Sequence, residues 1–448
     1  MNELNALKAP ISVNLELTDS CNLACFFCFC ATNNYKNALP IASNQEKLKN
    51  LHRILDVLAE NEIFEIRWFG GEFTLLKGWQ ELVDHAYQLG FFMSFVSNGT
   101  KFSPNDADFL ASRAIQTGSI SIHGIGLLHD EIVQRKEAFN QATNSIRMLR
   151  DVGIEVAVLF TPNEKNLKHL EFFVRQMLGE YGATSVGINR LFQSNRYNIL
   201  TLTQYRDIFR IINSLHNENL PVFFVDGFPF CKIPVCYWQY LGACSQGIGF
   251  AQVDYMGNIK NCSGLSVNIG NILNENLGEI WRDRLAKFRR LEHLPLSCRL
   301  CPVFCGGGCI ASRTTEHNFV ADEFINMPDQ ESFYATISIT IQNYLKKILA
   351  KYYNRNSIAP VRHYAKKDVP CIGRRYKVRR ENQDKYICMI EGRGVVNLNL
   401  RSYAILMAID GIRTADEIIS TIKHTEEITI SNAESNEVLN VFCSFDNE

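Results

Sequence analysis

From residue 12 to about 226, short runs of β-branched and aromatic residues alternate with longer stretches whose apolar positions recur at three and four. The runs at 13–17, 65–69, 92–96, 119–123, 155–160 and 185–189 have the length and composition of strands, and the stretches at 46–58, 79–89, 139–149, 167–178 and 205–215 those of amphipathic helices. Strand–helix alternation repeated about six times predicts parallel β/α units in an open, partial (β/α)6 barrel of the TIM type, with chemistry at the C-terminal strand ends. Between about 227 and 325 the helical period fades, Gly becomes frequent and eight Cys fall between Cys231 and Cys309. That pattern predicts a small fold built around metal. A helical pattern returns at 331–352, carried by Phe333, Ile337, Ile341, Tyr344, Leu345 and Ile348. From about 361, strand candidates at 374–379, 386–391 and 394–398 precede helical patterns at 401–410, 415–423 and 434–442, a winged-helix-like α+β module. The expected domains are therefore 1–226, 227–325, a linker helix within 326–360, and 361–448.

Composition narrows the chemistry. A length of 448 residues corresponds to about three domains, and 46% hydrophobic content excludes disorder throughout. Lys plus Arg number 46 against 47 Asp plus Glu, so no overall pull toward nucleic acid or an anionic membrane is expected. Fifteen Cys is about 3% of the chain, well below a disulfide scaffold, and favours metal or redox chemistry. Residues 1–10 lack the basic and apolar regions of a signal peptide, and the apolar runs at 91–96 and 222–225 are too short to span a bilayer. A cytoplasmic location is expected, where clustered thiols serve as ligands more often than as disulfides.

The first strand leads into Asp19-Ser20-Cys21-Asn22-Leu23-Ala24-Cys25-Phe26-Phe27-Cys28, a Cys-x3-Cys-x2-Cys loop. Three thiolates on one loop can bind three irons of a 4Fe-4S cube and leave the fourth open to an external ligand. Structural zinc, the alternative, prefers four ligands in paired spacing. At these residues the sequence resembles the radical S-adenosylmethionine (SAM) superfamily, with the aromatic Phe27 before the last Cys. Phe69-Gly70-Gly71-Glu72 resembles that family's Gly-Gly-Glu segment, which implies a carboxylate for the methionine amino group. Ser97-Asn98-Gly99-Thr100 resembles its ribose-contacting segment, and Ser121 and Arg135 are further candidates for SAM contacts. Phe73 stands where the family commonly has Pro, and His123 where relatives often have Asp. His123 is read as a structural residue. The resemblance implies reductive cleavage of SAM to a 5′-deoxyadenosyl radical that abstracts hydrogen, with electrons from an external donor such as flavodoxin or ferredoxin.

The second Cys group is Cys244-x12-Gly257-x4-Cys262, then Cys298-x2-Cys301-x3-Cys305-x3-Cys309. It resembles the SPASM extension, which holds two auxiliary 4Fe-4S clusters. Carried over by position, Cys244, Cys262 and Cys309 serve one cluster, with Cys231 and Cys236 the nearest candidates to complete it. Cys298, Cys301 and Cys305 serve the other. Three residues separate Cys301 from Cys305 where the family often has five, and no Cys occurs between Cys309 and Cys371. The second auxiliary site is left with three outcomes: an open iron, ligation by Cys371, or absence. Zinc also remains open there, because Cys298-x2-Cys301 is zinc-knuckle spacing.

Residues 386–399 and 404–419 resemble the peptide chaperone of pyrroloquinoline quinone biosynthesis, the leader-binding element of enzymes that modify ribosomally made peptides. The resemblance implies that a precursor peptide adds as a strand to an exposed sheet edge. Arg362, Lys366, Lys367, Arg374, Arg375, Lys377, Arg379 and Arg380 precede it with Asp368 the one acid among 362–380, which suggests steering of an acidic leader. The expected activity is hydrogen abstraction from a precursor peptide followed by a thioether or carbon–carbon crosslink. Epimerisation, decarboxylation or excision, and sulfatase-type Cys or Ser oxidation share the same start. An iron–sulfur electron-transfer or peptide-binding protein is the non-enzymatic alternative.

Overall fold

The computed structural model describes residues 7–28, 42–192, 199–265, 267–299, 301, 305–312, 322–325, 375–383, 385–391, 394–409, 417, 418, 420 and 422. The chain divides into two compact units, Met1–Thr336 and Ile337–Glu448.

All six expected strands form in the first unit, with ends displaced by up to two residues. They are β1 (Ser12–Glu16), β2 (Glu65–Phe69), β3 (Phe92–Ser97), β4 (Thr117–Ser121), β5 (Glu155–Phe160) and β6 (Ser185–Ile188). A seventh, β7 (Val222–Phe224), comes from an apolar run too short to carry a strand pattern of its own. Every neighbouring pair from β1 to β7 is parallel. The sheet does not end at β1. β8 (Phe250–Asp254) pairs parallel with the other side of β1, β9 (Asn258–Lys260) turns back on β8, and β10 (Asn268–Asn271) follows on β9. The ten-stranded order β10-β9-β8-β1-β2-β3-β4-β5-β6-β7 makes the Cys-rich segment a continuation of the barrel sheet.

Helices follow from apolar stripes and caps. Asn44–Glu60 (α1) buries Leu51, Ile54, Leu55 and Leu58 at helical spacing, and the Ser43 hydroxyl accepts the Glu46 amide at its start. Pro104–Ser112 (α2) and Leu202–Asn217 (α3) open with reciprocal capping boxes, Ser103/Asp106 and Thr201/Gln204. Fully buried β1, with Val13 and Leu15 at 0% exposure, has the pattern of a strand covered on both faces.

In the second unit, β11 (Tyr376–Arg380), β12 (Lys385–Ile390) and β13 (Gly394–Asn399) form an antiparallel sheet in that order. Helix α4 (Leu400–Ala408) follows directly, capped by Asn399. Tyr386, Cys388, Ile390 and Leu398 share a core with Ala404, Ile405, Leu406, Ile418 and Ile422. The expected helices at 331–352 and 434–442, and Cys30, Cys371 and Cys443, lie outside the described residues. No helix among the described residues is long and apolar enough to cross a membrane.

Candidate functional site

The three-Cys loop leaves β1 and is met by the segments that leave β2 and β3. Gly71 donates its amide to the Thr18 carbonyl (2.7 Å), and Glu72 donates its amide to the Ser20 carbonyl (2.8 Å). A Cβ on Gly70 would stand 2.6 Å from the Thr18 carbonyl oxygen, and one on Gly71 would fall on the Ser20 carbonyl. Two glycines are thus required because the β2 end lies backbone to backbone against the cluster loop.

Glu72 is 1% exposed and turned into the protein. Its Oε1 accepts from the Thr74 amide (3.3 Å), the Thr74 hydroxyl (2.7 Å) and the Ser97 hydroxyl (2.9 Å), and its Oε2 from the Asn98 amide (2.7 Å). Burial pushes its carboxyl up, and these hydrogen bonds oppose that shift. In this arrangement Glu72 ties the β2 and β3 ends together. Asn98 extends the chain of contacts, donating from Nδ2 to Asn22 Oδ1 (2.9 Å) and Cys21 Sγ (3.8 Å) while Oδ1 accepts from Thr100. Arg135 donates to the Asn22 carbonyl (3.3 Å), so it touches the same loop. Ser121 is half-buried at the C-terminal end of β4.

Cys21, Cys25 and Cys28 are partly exposed, and the charges of Cys28 and Cys21 act on Cys25. Burial holds the Cys25 thiol well up, so iron binding must displace its proton. The Cys21 sulfur accepts N–H groups from Leu23 (3.4 Å) and Asn98, donors that suit a cluster-bound thiolate. Among the described residues no three His, Cys, Asp or Glu side chains gather tightly enough for one metal ion. A cube instead takes each thiolate on a separate iron. Phe27 stands edge-on to His123 (4.8 Å), whose Nδ1 accepts the Thr161 amide (3.2 Å). Burial keeps His123 well below the usual imidazole range, hence neutral, in keeping with a structural role. Lys47 was not apparent from sequence: it pairs with Asp19 (3.0 Å) and lies over the Tyr255 ring (4.3 Å), joining the cluster loop to the β8–β9 turn.

The later cysteines fall into two groups. Burial first, then the charges of Cys305, Cys298 and Cys301, raise Cys231 to about 12. The Cys305 sulfur accepts the Phe230 amide next to Cys231, together with the amides of Gly307 and Gly308. Those belong to the run Gly306–Gly308, whose φ values of 65°, 74° and 82° lie in the left-handed region that favours glycine. Cys231 therefore stands with Cys298, Cys301 and Cys305. This corrects the expectation that it stands with Cys244, Cys262 and Cys309, and the reason is that the 3-10 turn Phe230–Lys232 packs on the Cys305 loop. Cys236 is exposed. Cys262 and Cys309 share a buried cluster with Leu265, Phe288 and Ile310. After burial, Cys244 is the leading charge felt by Cys262.

A second set of residues invisible to sequence reasoning ties this region to the barrel. Arg190, 1% exposed beyond the end of β6, pairs with Asp322, reaches Glu323 Oε1 (3.0 Å) and donates to the Gly227 carbonyl (3.3 Å). Asp322 in turn accepts the Cys309 amide (2.9 Å). The available signal was positional: Arg190 and Asp226 each follow a barrel strand at its C-terminal end.

Basic residues ahead of the C-terminal sheet are used locally. Arg379 is buried and paired with Glu381 (2.6 Å), Arg375 lies 3.8 Å from Glu391, and Arg380 donates to the Asn382 and Gln383 carbonyls. Of these three, Arg379 is buried in its ion pair, while Arg380 is exposed and its charge meets no carboxylate among the described residues. Arg362, Lys366, Lys367 and Arg374 lie outside the described residues.

Comparison with known proteins accords with this geometry. Residues 15–176 match the radical SAM superfamily and residues 244–302 the SPASM iron–sulfur cluster-binding domain. The chain thus carries a radical SAM domain followed by a SPASM domain, and it is an enzyme whose cofactors are S-adenosylmethionine and 4Fe-4S clusters. It is 33% identical to the sporulation killing factor maturation protein SkfB of Bacillus subtilis over 167 residues, covering 37% of this chain and 39% of SkfB. It is 25% identical over 334 residues to the AdoMet-dependent heme synthase of Oleidesulfovibrio alaskensis, covering 69% of this chain and 84% of that one. It is 27% identical over 327 residues to the mycofactocin maturase MftC of Mycolicibacterium smegmatis, covering 68% and 80%. In fold it resembles Streptococcus suis SuiB bound to S-adenosylmethionine, with TM-score 0.59, 17% identity and coverage of 72% and 79%.

Proposed function

We propose that this enzyme modifies a ribosomally made precursor peptide by hydrogen abstraction and closes a thioether or carbon–carbon crosslink. The observation that carries the reading is the joining of Gly70-Gly71-Glu72 and Ser97-Asn98 to the three-Cys loop, in one chain with two further thiol groups and a separate sheet unit. When bound, the loop cluster and SAM supply a 5′-deoxyadenosyl radical able to abstract hydrogen. Cys21, Cys25 and Cys28 would hold that cluster, and Asn98 and Leu23 would donate to the Cys21 sulfur. The Gly70-Gly71 backbone, Glu72, Ser97, Asn98, Ser121, Arg135 and Phe27 are the surroundings proposed for SAM, with Glu72 also holding Ser97 and Asn98. Crosslinking removes a hydrogen pair: one hydrogen atom goes to the 5′-deoxyadenosyl radical, and a proton and an electron leave afterwards; the thiols of the SPASM segment would hold clusters able to take up that electron.

For the peptide, the reading rests on similarity to SkfB, named as a maturation protein, and MftC, named as a maturase, and on the β11-β12-β13 sheet, whose outer strands pair with no further strand among the described residues and suit strand addition. Segment 361–448 is assigned to leader binding, and a small electron-transfer protein to reduction of the clusters. The reading is tested by incubating reconstituted enzyme, SAM and reductant with short peptides extracted from the source cells. A crosslinked product loses a hydrogen pair by mass spectrometry, an epimer keeps its mass, and excision removes far more. Formation of 5′-deoxyadenosine with no change in any peptide mass or stereochemistry would overturn the peptide reading in favour of a non-peptide substrate.

A further inference from the structure

We infer that the Asp226 carboxylate is the fourth protein ligand of the auxiliary site formed by Cys244, Cys262 and Cys309. A cube has four irons, and Cys231 joins Cys298, Cys301 and Cys305, which gives that site four thiols and, among the described residues, leaves three for the other. Cys236 is exposed, unlike the buried Cys262 and Cys309.

Asp226 stands at the right place to fill it. It follows β7 and precedes Gly227, whose backbone is pressed onto the site: a Cβ there would lie 3.0 Å from Cys244 Cβ and 2.9 Å from the Gly308 carbonyl, next to Cys309. Cys309 and Cys262 are packed in one buried cluster. Electrostatics agree with that placement, since after burial the charge of Asp226 acts on Cys309, Cys244 and Cys262 alike.

The carboxylate is held but not neutralised by a hydrogen-bonded cation. The Arg190 amide donates to Oδ2 (2.6 Å), while the Arg190 guanidinium is directed to Asp322, Glu323 and the Gly227 carbonyl. No other hydrogen bond to Asp226 is made among the described residues. The Arg190 charge offsets part of the burial, but a buried carboxylate whose one hydrogen bond is from a backbone amide remains costly unless a cation meets its second oxygen, and carboxylate is an accepted ligand of iron.

The inference stands whatever the substrate is, so the test removes turnover from the readout. The full chain carrying Cys21→Ala, Cys25→Ala and Cys28→Ala is reconstituted anaerobically, leaving only auxiliary clusters. Iron, sulfide, the EPR spectrum of the reduced protein and its reduction potential are then measured with Asp226 intact and as Asp226→Ala, Asp226→Asn and Asp226→Cys. With Asp226 intact about eight irons are expected. Asp226→Ala and Asp226→Asn should lose between one and four of them, one cluster becoming a three-iron form or disappearing while the signal of the Cys231 group persists. Asp226→Cys should restore the count with a shifted potential. If Asp226→Ala fails to fold, Asp226→Asn and Asp226→Cys decide. Full iron with an unchanged spectrum and potential in Asp226→Asn would overturn the assignment.

Discussion

The three-Cys loop and the later thiol groups reach similar chemistry by opposite means. Cys21, Cys25 and Cys28 sit within eight residues, and the distant β2 and β3 ends only brace a loop whose ligands are already neighbours. The auxiliary groups draw members from Cys231 to Cys309, and their assembly depends on Arg190 joining the barrel to Asp322 and the Gly227 carbonyl. Local spacing therefore specifies the first site. Tertiary closure specifies the others.

Removing one thiol from the local site gives the largest effect. Cys25→Ala should abolish 5′-deoxyadenosine formation, a loss of at least about 10³-fold, while the auxiliary clusters keep their iron. Loss of auxiliary iron as well would erase the distinction drawn above. Next comes Arg190→Ala, which leaves Asp322 buried without its partner and should cost about 3–5 kcal/mol. A lower denaturant midpoint with iron lost from the auxiliary sites before the loop is the expected result, and equal loss from all sites would contradict it.

Gly71→Ala drives a methyl group onto the Ser20 carbonyl and should cost about 1–3 kcal/mol, raising the KM for SAM more than it lowers auxiliary iron content. The smallest effect concerns the seam between the regions, where Glu16 on β1 faces Gln252 (3.1 Å) and Lys260 (3.9 Å). Burial raises its carboxyl to about 7; Lys260 and Gln252 oppose the shift, and Asp254 and Asp19 add to it. Folding therefore takes up a proton, so this group's contribution is full below the unfolded value near 4.5 and is lost as pH rises through about 7. Melting scans of wild type and Glu16→Gln should diverge across that interval, with the wild type falling more steeply as pH rises.

What could be read from sequence follows the same division. The cluster loop, Gly70-Gly71-Glu72 and six barrel strands are legible because periodicity and short spacing are local properties. Strand β7 is three residues long and carries no period, and pairing of β8 with β1 joins Ser12 to Phe250, which no window detects. Cys231 precedes Cys244 in the chain yet stands with Cys305, because a turn at Phe230 packs there. Arg379 reads as surface charge in the sequence, yet it is buried and paired with Glu381, a partner two residues on whose role no charge count reveals.

The β1–β8 pairing also sets an order of events at the ribosome. β1 emerges first and meets β2 early, but its other edge stays bare until residues 250–254 have been made. At about 5–20 residues per second that interval is on the order of ten to fifty seconds. Throughout it the nascent chain carries an unpaired strand edge beside three oxidisable thiols. Slow synthesis prolongs that exposure and should favour aggregation over maturation.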